Sequence, residues 1–318
     1  MNHIVTYFYL EKNNNMSSYG VKTKNYKKKN EYYFRCIVNF FASSILKNPK
    51  SKHYFICNEI DDIEFIPNFS FKGFLEENKV EIVKVDSKYV KPISKWAGSV
   101  YLFDAIEYFK NKTKAQDNYI FFDNDIIFNK SIENCDILND DFDVVLYDIT
   151  HEYKKNNEWI CDFNGISKKY IENLIPLGGE FIALKGEFLS EFIEYFIYIQ
   201  FREGLYTEEH FISYINKFYL SDKKVILLDE SNNLIARVWT TLKYSNLNES
   251  HMNVKILHFP AEKEYGLKWI SNYIIINNKI DKNIIFKYLG MPKRNIFIMI
   301  KIIFEKIKNK YINNIIFK

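Results

Sequence analysis

The chain has 318 residues, 47% apolar and 18% aromatic, ample for a real core, and no disordered low-complexity tract. Its net charge of +4 is unevenly placed: residues 293–318 carry seven Lys/Arg against Glu305 alone, a tail of +6, leaving 37 basic and 39 acidic residues, or −2, in the body. A body of that charge with no recognisable nucleic-acid module excludes nucleic acid as the expected partner. No apolar run approaches the roughly 18 residues of a membrane span. The cysteines at 36, 57, 135 and 161 lack C-x-x-C spacing, which argues against a disulfide framework or zinc site and for buried thiols in a reducing cytosol. The first residues show neither a charged n-region nor a small-residue cleavage site, so no signal peptide is expected.

In chain order, Ile4–Leu10 reads as a strand, followed by a polar, basic loop through Lys29. Tyr32–Leu46 has apolar residues at helical spacing, stopped by Lys47-Asn48-Pro49. His53–Cys57 and Val80–Val85 read as short strands, and Lys95–Phe109 as a helix. Strands follow at Tyr119–Phe122, Phe142–Tyr147 and, after the turn-like Gly178-Gly179, Phe181–Leu184. Helices at Glu187–Phe201 and Glu208–Phe218 precede strands at Lys224–Leu228 and Val254–Phe259. Strand and helix alternate over most of residues 1–230, which predicts an open α/β sheet.

The most informative segment is Tyr-Ile-Phe-Phe-Asp-Asn-Asp-Ile-Ile-Phe at 119–128. A β-type apolar run ends in Asp123 and Asp125 and then resumes. Carboxylates are costly in core-flanked backbone unless paired, hydrogen-bonded or bound to a cation. Two hard oxygen ligands at the carboxyl end of a strand suit Mg²⁺ or Mn²⁺, especially one that also holds a substrate phosphate. The competing explanation is a surface turn or cap, since Asp and Asn favour both. Thr207-Glu208-Glu209-His210 has the form of a threonine N-cap with acids in the first helical turn, which suffices structurally. His258 follows a β-run, where a core or hydrogen-bonded histidine is as ordinary as a ligand.

Residues 119–128 resemble the Asp-x-Asp strand end of the GT-A-fold, nucleotide-sugar-dependent glycosyltransferases. Three further segments stand in the order those enzymes use: Lys95-Trp96, Leu177-Gly178-Gly179-Glu180-Phe181, and Leu257-His258-Phe259 followed by Lys263 and Lys268-Trp269. The last is similar to the late His…Lys element of glycosyltransferase family 8 and its neighbours. This chain departs from it with Phe259-Pro260 after the histidine and with Leu267 in front of Lys268-Trp269.

The resemblance spans residues 1–275. It implies a GT-A architecture: a Rossmann-like open mixed sheet flanked by helices, with residues 276–318 as a small helical appendage. It also implies Mn²⁺ or Mg²⁺ held by Asp123, Asp125 and His258, with Asp123 shared with the nucleotide. Lys95, Lys263 and Lys268 would contact the diphosphate of a nucleotide sugar, a UDP-sugar first of all. For the helix start at Glu208-Glu209 the resemblance implies a second use, since an inverting enzyme would need a carboxylate there as general base. Glu209 would be the one of the pair to face the site, with Glu180, beside the flexible Gly-Gly turn, a second candidate. The implied activity is hexosyl transfer, of retaining type, to a bacterial surface glycan such as lipooligosaccharide or capsule. Rival readings are a sugar nucleotidyltransferase, which would need a glycine-rich basic loop where residues 11–30 hold only Gly20, and a non-catalytic sugar- or membrane-binding protein on the same scaffold. In the tail, Ile296, Ile300, Ile303, Ile307 and Tyr311 share one helical face with lysines largely off it. That pattern fits an interfacial helix on an anionic membrane and a glycolipid acceptor. The expected location is the cytoplasmic side of the membrane, peripherally bound.

Overall fold

The computed structural model describes residues 1–11, 21, 25–60, 66–91, 97–153, 174–202, 205–241 and 245–316. Lys95, Trp96, Cys161 and the lysines at 22 and 24 lie outside them. The main sheet is built from β1 (Asn2–Phe8), β2 (Lys52–Cys57), β3 (Glu81–Lys84), β4 (Asn118–Phe122), β6 (Val144–Asp148), β7 (Leu177–Lys185) and β8 (Val225–Leu228). Their order is β3-β2-β1-β4-β7-β6-β8. All neighbours pair in parallel except β7, which runs antiparallel to both β4 and β6. This is the open α/β sheet expected from the alternation of elements, with β7 making it mixed.

Strand alternation divides each apolar run between two layers. On β4, Ile120 and Phe122 enter one core cluster and Tyr119 and Phe121 the other. The first layer is closed by the Tyr26–Lys47 helix, whose Phe34 packs edge-on against Phe8, Phe55 and Phe71, and by the Gly266–Asn277 helix beside it. The second is closed by the helices Tyr101–Phe109, Leu189–Ile199 and Glu208–Tyr219. Cys36, Cys57 and Cys135 are buried free thiols.

A second, three-stranded sheet has the order β5-β10-β9, where β5 is Ile126–Phe128, β9 Ile235–Arg237 and β10 Ile256–His258. Because β5 begins directly after the Asp turn, that turn is the corner joining the two sheets. β10 pairs antiparallel with β5, setting His258 opposite Ile126, and parallel with β9, setting Arg237 beside His258.

Three local readings differ from the sequence expectation for physical reasons. The first long helix starts at Tyr26, not Tyr32, because the Asn25 side chain caps it by accepting from the Lys28 N–H. The basic run expected as loop is therefore partly helical, and Lys29 is buried in an ion pair with Glu11. Gly178-Gly179 is not a turn before a strand; it lies inside β7, at an irregularity where the register with β6 shifts between Leu146 and Tyr147. The helix Gly266–Asn277 runs across position 275/276, and Ile285, Phe286 and Leu289 of the next helix join the main core. The last helix, Ile296–Ile316, lays Ile302 against Tyr265 and Trp269.

Candidate metal and diphosphate site

The carboxyl end of β4 is pinned from three sides. Thr6 Oγ1 donates to the Phe122 carbonyl at 3.1 Å, Asp123 N–H to the Glu180 carbonyl at 3.2 Å, and Phe259 N–H to the Asp125 carbonyl at 3.0 Å. The Asp123-Asn124-Asp125 turn is therefore held jointly by β1, β7 and the residue after β10. Asp123 Oδ1 accepts from the Asn124 N–H at 2.7 Å, which turns its other oxygen outward.

Asp125 is fully buried, whereas Asp123 keeps 37% of its side chain exposed to solvent. His258 Nε2 lies 3.1 Å from Asp125 Oδ1 and 3.9 Å from Asp123 Oδ2. The ligand atoms of the three residues all fall within 4.8 Å of one another. Asp125 Oδ1 and both ring nitrogens of His258 are buried without a well-formed hydrogen bond. Orphaned buried acceptors of this kind fit a cation that would complete their coordination. Two carboxylates and an imidazole suit a divalent metal such as Mn²⁺ or Mg²⁺.

Around this trio the described residues form a charge network larger than the sequence suggested. The Lys263 ammonium is bonded to Asp125 Oδ2 and lies 5.5 Å from the Tyr33 ring centre. Behind His258, its Nδ1 stands 3.4 Å from Glu180 Oε1. Glu180 in turn receives Arg237 through Nε at 2.8 Å and Nη2 at 2.5 Å, a bidentate pair. Arg237 Nη2 also donates to Glu209 Oε1 at 2.8 Å, and its Nη1 lies 3.8 Å from Glu152 Oε2. Glu152 takes a further bond from Trp239 Nε1 at 2.6 Å. Glu208 sits at the start of its helix, with Oε2 buried and unbonded.

These contacts set the ionisation of the groups. Burial pushes Asp125 up, but Lys263 and His258 more than offset it and hold it well below the usual carboxylate range. Burial also acts against ionised Glu180, which Arg237 and His258 hold low. Burial and the neighbouring Asp125 push Asp123 up to about 6, a shift that the open side of its carboxylate tempers. Burial and then Glu209 push Glu208 to about 8, so at neutral pH it is largely uncharged. Burial disfavours charged His258, but Asp125 and Glu180 raise it to about 10. In the metal-free molecule the imidazolium thus supplies part of the positive charge that two adjacent aspartates require.

Two glycines make room for this packing. A Cβ on Gly178 would come within 2.2 Å of Glu180 Oε2, and one on Gly179 within 2.2 Å of Glu208 Cγ. Glu180 is clamped by Arg237 and cannot swing aside, so the irregularity in β7 is where the backbone must stay bare.

Of the residues proposed from sequence, Asp123, Asp125, His258, Lys263, Glu180 and Glu209 thus lie in one contact network. Lys268 stands elsewhere, on the next helix 5.8 Å from the Tyr32 ring centre and among Glu305, Arg35 and Glu31. Lys95 is outside the described residues. Arg237, Glu152 and Trp239 were missed. The signal available for Arg237 was a lone cation within Leu-Ile-Ala-Arg-Val at 234–238, the mirror image of the aspartates in theirs. Tyr7 was missed too; at the end of β1 its hydroxyl is pushed well above its ordinary range by burial and then by Asp123, Glu208 and Glu180.

No protein-family model and no curated protein matches the chain. Similar solved structures include the galactosyltransferase LgtC in complex with donor and acceptor sugar analogues, at 10% identity over 91% of this chain and 95% of that one, TM-score 0.48. They also include an active-site mutant of LgtC, at 10% identity over 81% and 87%, TM-score 0.46. A third is the apo form of mouse xyloside xylosyltransferase 1, at 12% identity over 81% and 97%, TM-score 0.47. The seven-stranded mixed sheet flanked by helices is an α/β architecture.

Two outcomes follow from the site. Gly178→Ala will dislodge Glu180 from behind His258 and weaken Mn²⁺ binding by about 10- to 100-fold, read by calorimetry. Gly98→Ala, whose nearest new neighbour is 4.0 Å away, will leave it unchanged. In metal-free buffer, thermal stability will fall at both pH extremes. Asp125 and Glu180 are held low, so their contribution is present above about pH 4 and is lost as pH falls further. His258 is held high, so its contribution is complete below 6.5 and is lost as pH rises through about 10. His258→Gln will flatten the alkaline limb of the Tm profile; an unchanged limb would show that this histidine is not the group responsible.

Proposed function

We propose that the protein is a metal-dependent glycosyltransferase that takes a sugar from a nucleoside-diphosphate donor, a UDP-sugar first of all. The observation that carries this reading is the trio of Asp123, Asp125 and His258 ligand atoms at the carboxyl end of β4, with Lys263 bonded to Asp125. Asp123, Asp125 and His258 would hold a divalent cation, which when bound would supply positive charge against the diphosphate leaving group. The chain's own residues do the rest. Asp125 and His258 would hold the cation through buried atoms, and the more exposed Asp123 would be shared with the nucleotide. The Lys263 ammonium, bonded to Asp125 in this structure, would shift to a phosphate oxygen. Arg237 and Glu180 keep the His258 ring in place from behind.

The carboxylates also bear on stereochemistry. Glu180 and Glu209 are both bonded to Arg237, and burial keeps Glu208 protonated at neutral pH. None of the three stands ready as a general base, which supports a retaining route in which the leaving phosphate takes the acceptor proton.

Binding of UDP, measured by calorimetry with and without Mn²⁺, tests the reading. Affinity should require the metal and fall by more than about 100-fold in Asp125→Asn. Metal-independent binding, or none, would sink it.

The acceptor we propose is a surface glycan of the lipooligosaccharide or capsule type, presented at the inner face of the membrane. Among the described residues no helix is long and apolar enough to cross a membrane. The last helix instead exposes Ile296, Phe297, Ile300, Ile303, Phe304 and Ile307 along one side, with Lys293 and Lys308 also exposed. That pairing suits the surface of an anionic bilayer, where each basic residue contributes about 1 kcal/mol. Replacing Phe297, Ile300 and Phe304 together by Ser should abolish sedimentation with anionic liposomes while leaving UDP binding intact. Unchanged sedimentation would refute the membrane contact.

A further inference from the structure

Immediately before the site lysine stands Glu262, a carboxylate only 1% exposed. Its Oε1 accepts from Thr240 Oγ1 and from Arg294 Nη2, and its Oε2 from the Gly266 N–H at 3.0 Å. Arg294 Nη1 donates in addition to the Thr240 carbonyl at 2.7 Å. One guanidinium, carried just before the last helix, therefore ties together the segment after β9 and the turn after β10. The same turn is fixed through backbone, since the Glu262 carbonyl accepts from Tyr265 N–H at 2.9 Å and Leu267 N–H at 3.1 Å. There is little slack: a Cβ on Gly266 would come within 2.7 Å of both Glu262 Oε2 and Leu289 Cδ2. Lys263, next in the chain, is 3% exposed with its ammonium on Asp125.

A buried carboxylate that loses its cation is strongly destabilised, and the cheapest relief is to move it to water. For Glu262 that means opening the turn, which carries Lys263 with it. We infer that Arg294, acting through Glu262, is a positioning residue that holds Lys263 in the metal and diphosphate site. The inference rests on the role proposed above for Lys263. It makes the C-terminal arm part of donor binding rather than a detachable anchor.

Two measurements on the full chain separate this inference from the reading beneath it. The first is trace acetylation with acetic anhydride, read lysine by lysine by mass spectrometry. Exposed Lys79 serves as the standard, and buried Lys29, paired with Glu11 and outside the Glu262–Arg294 contacts, reports general loosening. Arg294→Ala should raise the labelling of Lys263 about tenfold with Lys29 unchanged, and Arg294→Lys should restore part of the protection. The second is Mn²⁺-dependent UDP binding in a double-mutant cycle. Arg294→Ala should weaken binding about tenfold in the native background and less than about twofold in Lys263→Ala. Protection of Lys263 unchanged in Arg294→Ala, or lost equally at Lys29, overturns the inference, as does an equal loss of affinity in both backgrounds. Release of Lys263 in a protein that binds no UDP upholds the coupling between arm and lysine and removes the diphosphate reading instead.

Discussion

Charge burial is the constraint on which the rest of this structure depends. Asp123 and Asp125 end a central strand, and Glu180, Glu209 and Glu152 converge on the same corner, Asp125 and Glu180 with almost no access to water. Isolated carboxylates there would be prohibitively costly, so cations must be delivered from elsewhere in the chain. Lys263 comes from the turn after β10, Arg237 from the end of β9 and His258 from the end of β10. All three belong to, or directly follow, the small sheet. Its role is thereby defined: it brings positive groups against the negative end of the large one.

The arrangement also explains why the network is graded rather than uniform. Arg237 is committed to Glu180 and reaches Glu209 and Glu152, so this deep layer is largely neutralised within the protein, with Glu152 Oε1 left unbonded. At the outer edge, Asp123, Asp125 and His258 approach one another with orphaned atoms and one partly exposed carboxylate. A protein that only needed internal neutrality would have paired this outer layer as thoroughly as the inner one. The incomplete layer is where the proposed cation and anionic ligand would bind.

Much of the fold was legible because it depends on local chemistry. The buried strands announce themselves as short apolar runs, and the helix at Glu208 by its threonine cap, which accepts from the His210 N–H at 3.3 Å. The errors have equally definite causes. Gly178-Gly179 looks like a turn because glycine usually marks one, yet these two are bare to admit Glu180 and Glu208, which no local pattern reveals. The basic run ending at Lys29 looks solvated, but an N-cap at Asn25 draws it into a helix and Glu11 neutralises its last residue. Lys268 has the right spacing in the chain but points toward Tyr32 instead, because the helix beginning at Gly266 rotates it away from Lys263.

By itself the sequence determined an alternating α/β chain with two aspartates at a strand end that demanded a cation. That followed from the energetics of single residues in their local runs. Only the tertiary structure decided which cations answer the demand. Arg237, His258 and Lys263 lie more than a hundred residues from the aspartates, and pairing of β10 with β5 and β9 is what brings them there. It also decided that Arg294, near the end of the chain, reaches the residue beside Lys263. Contacts across such separations arise from the packing of whole elements, and local composition does not encode them.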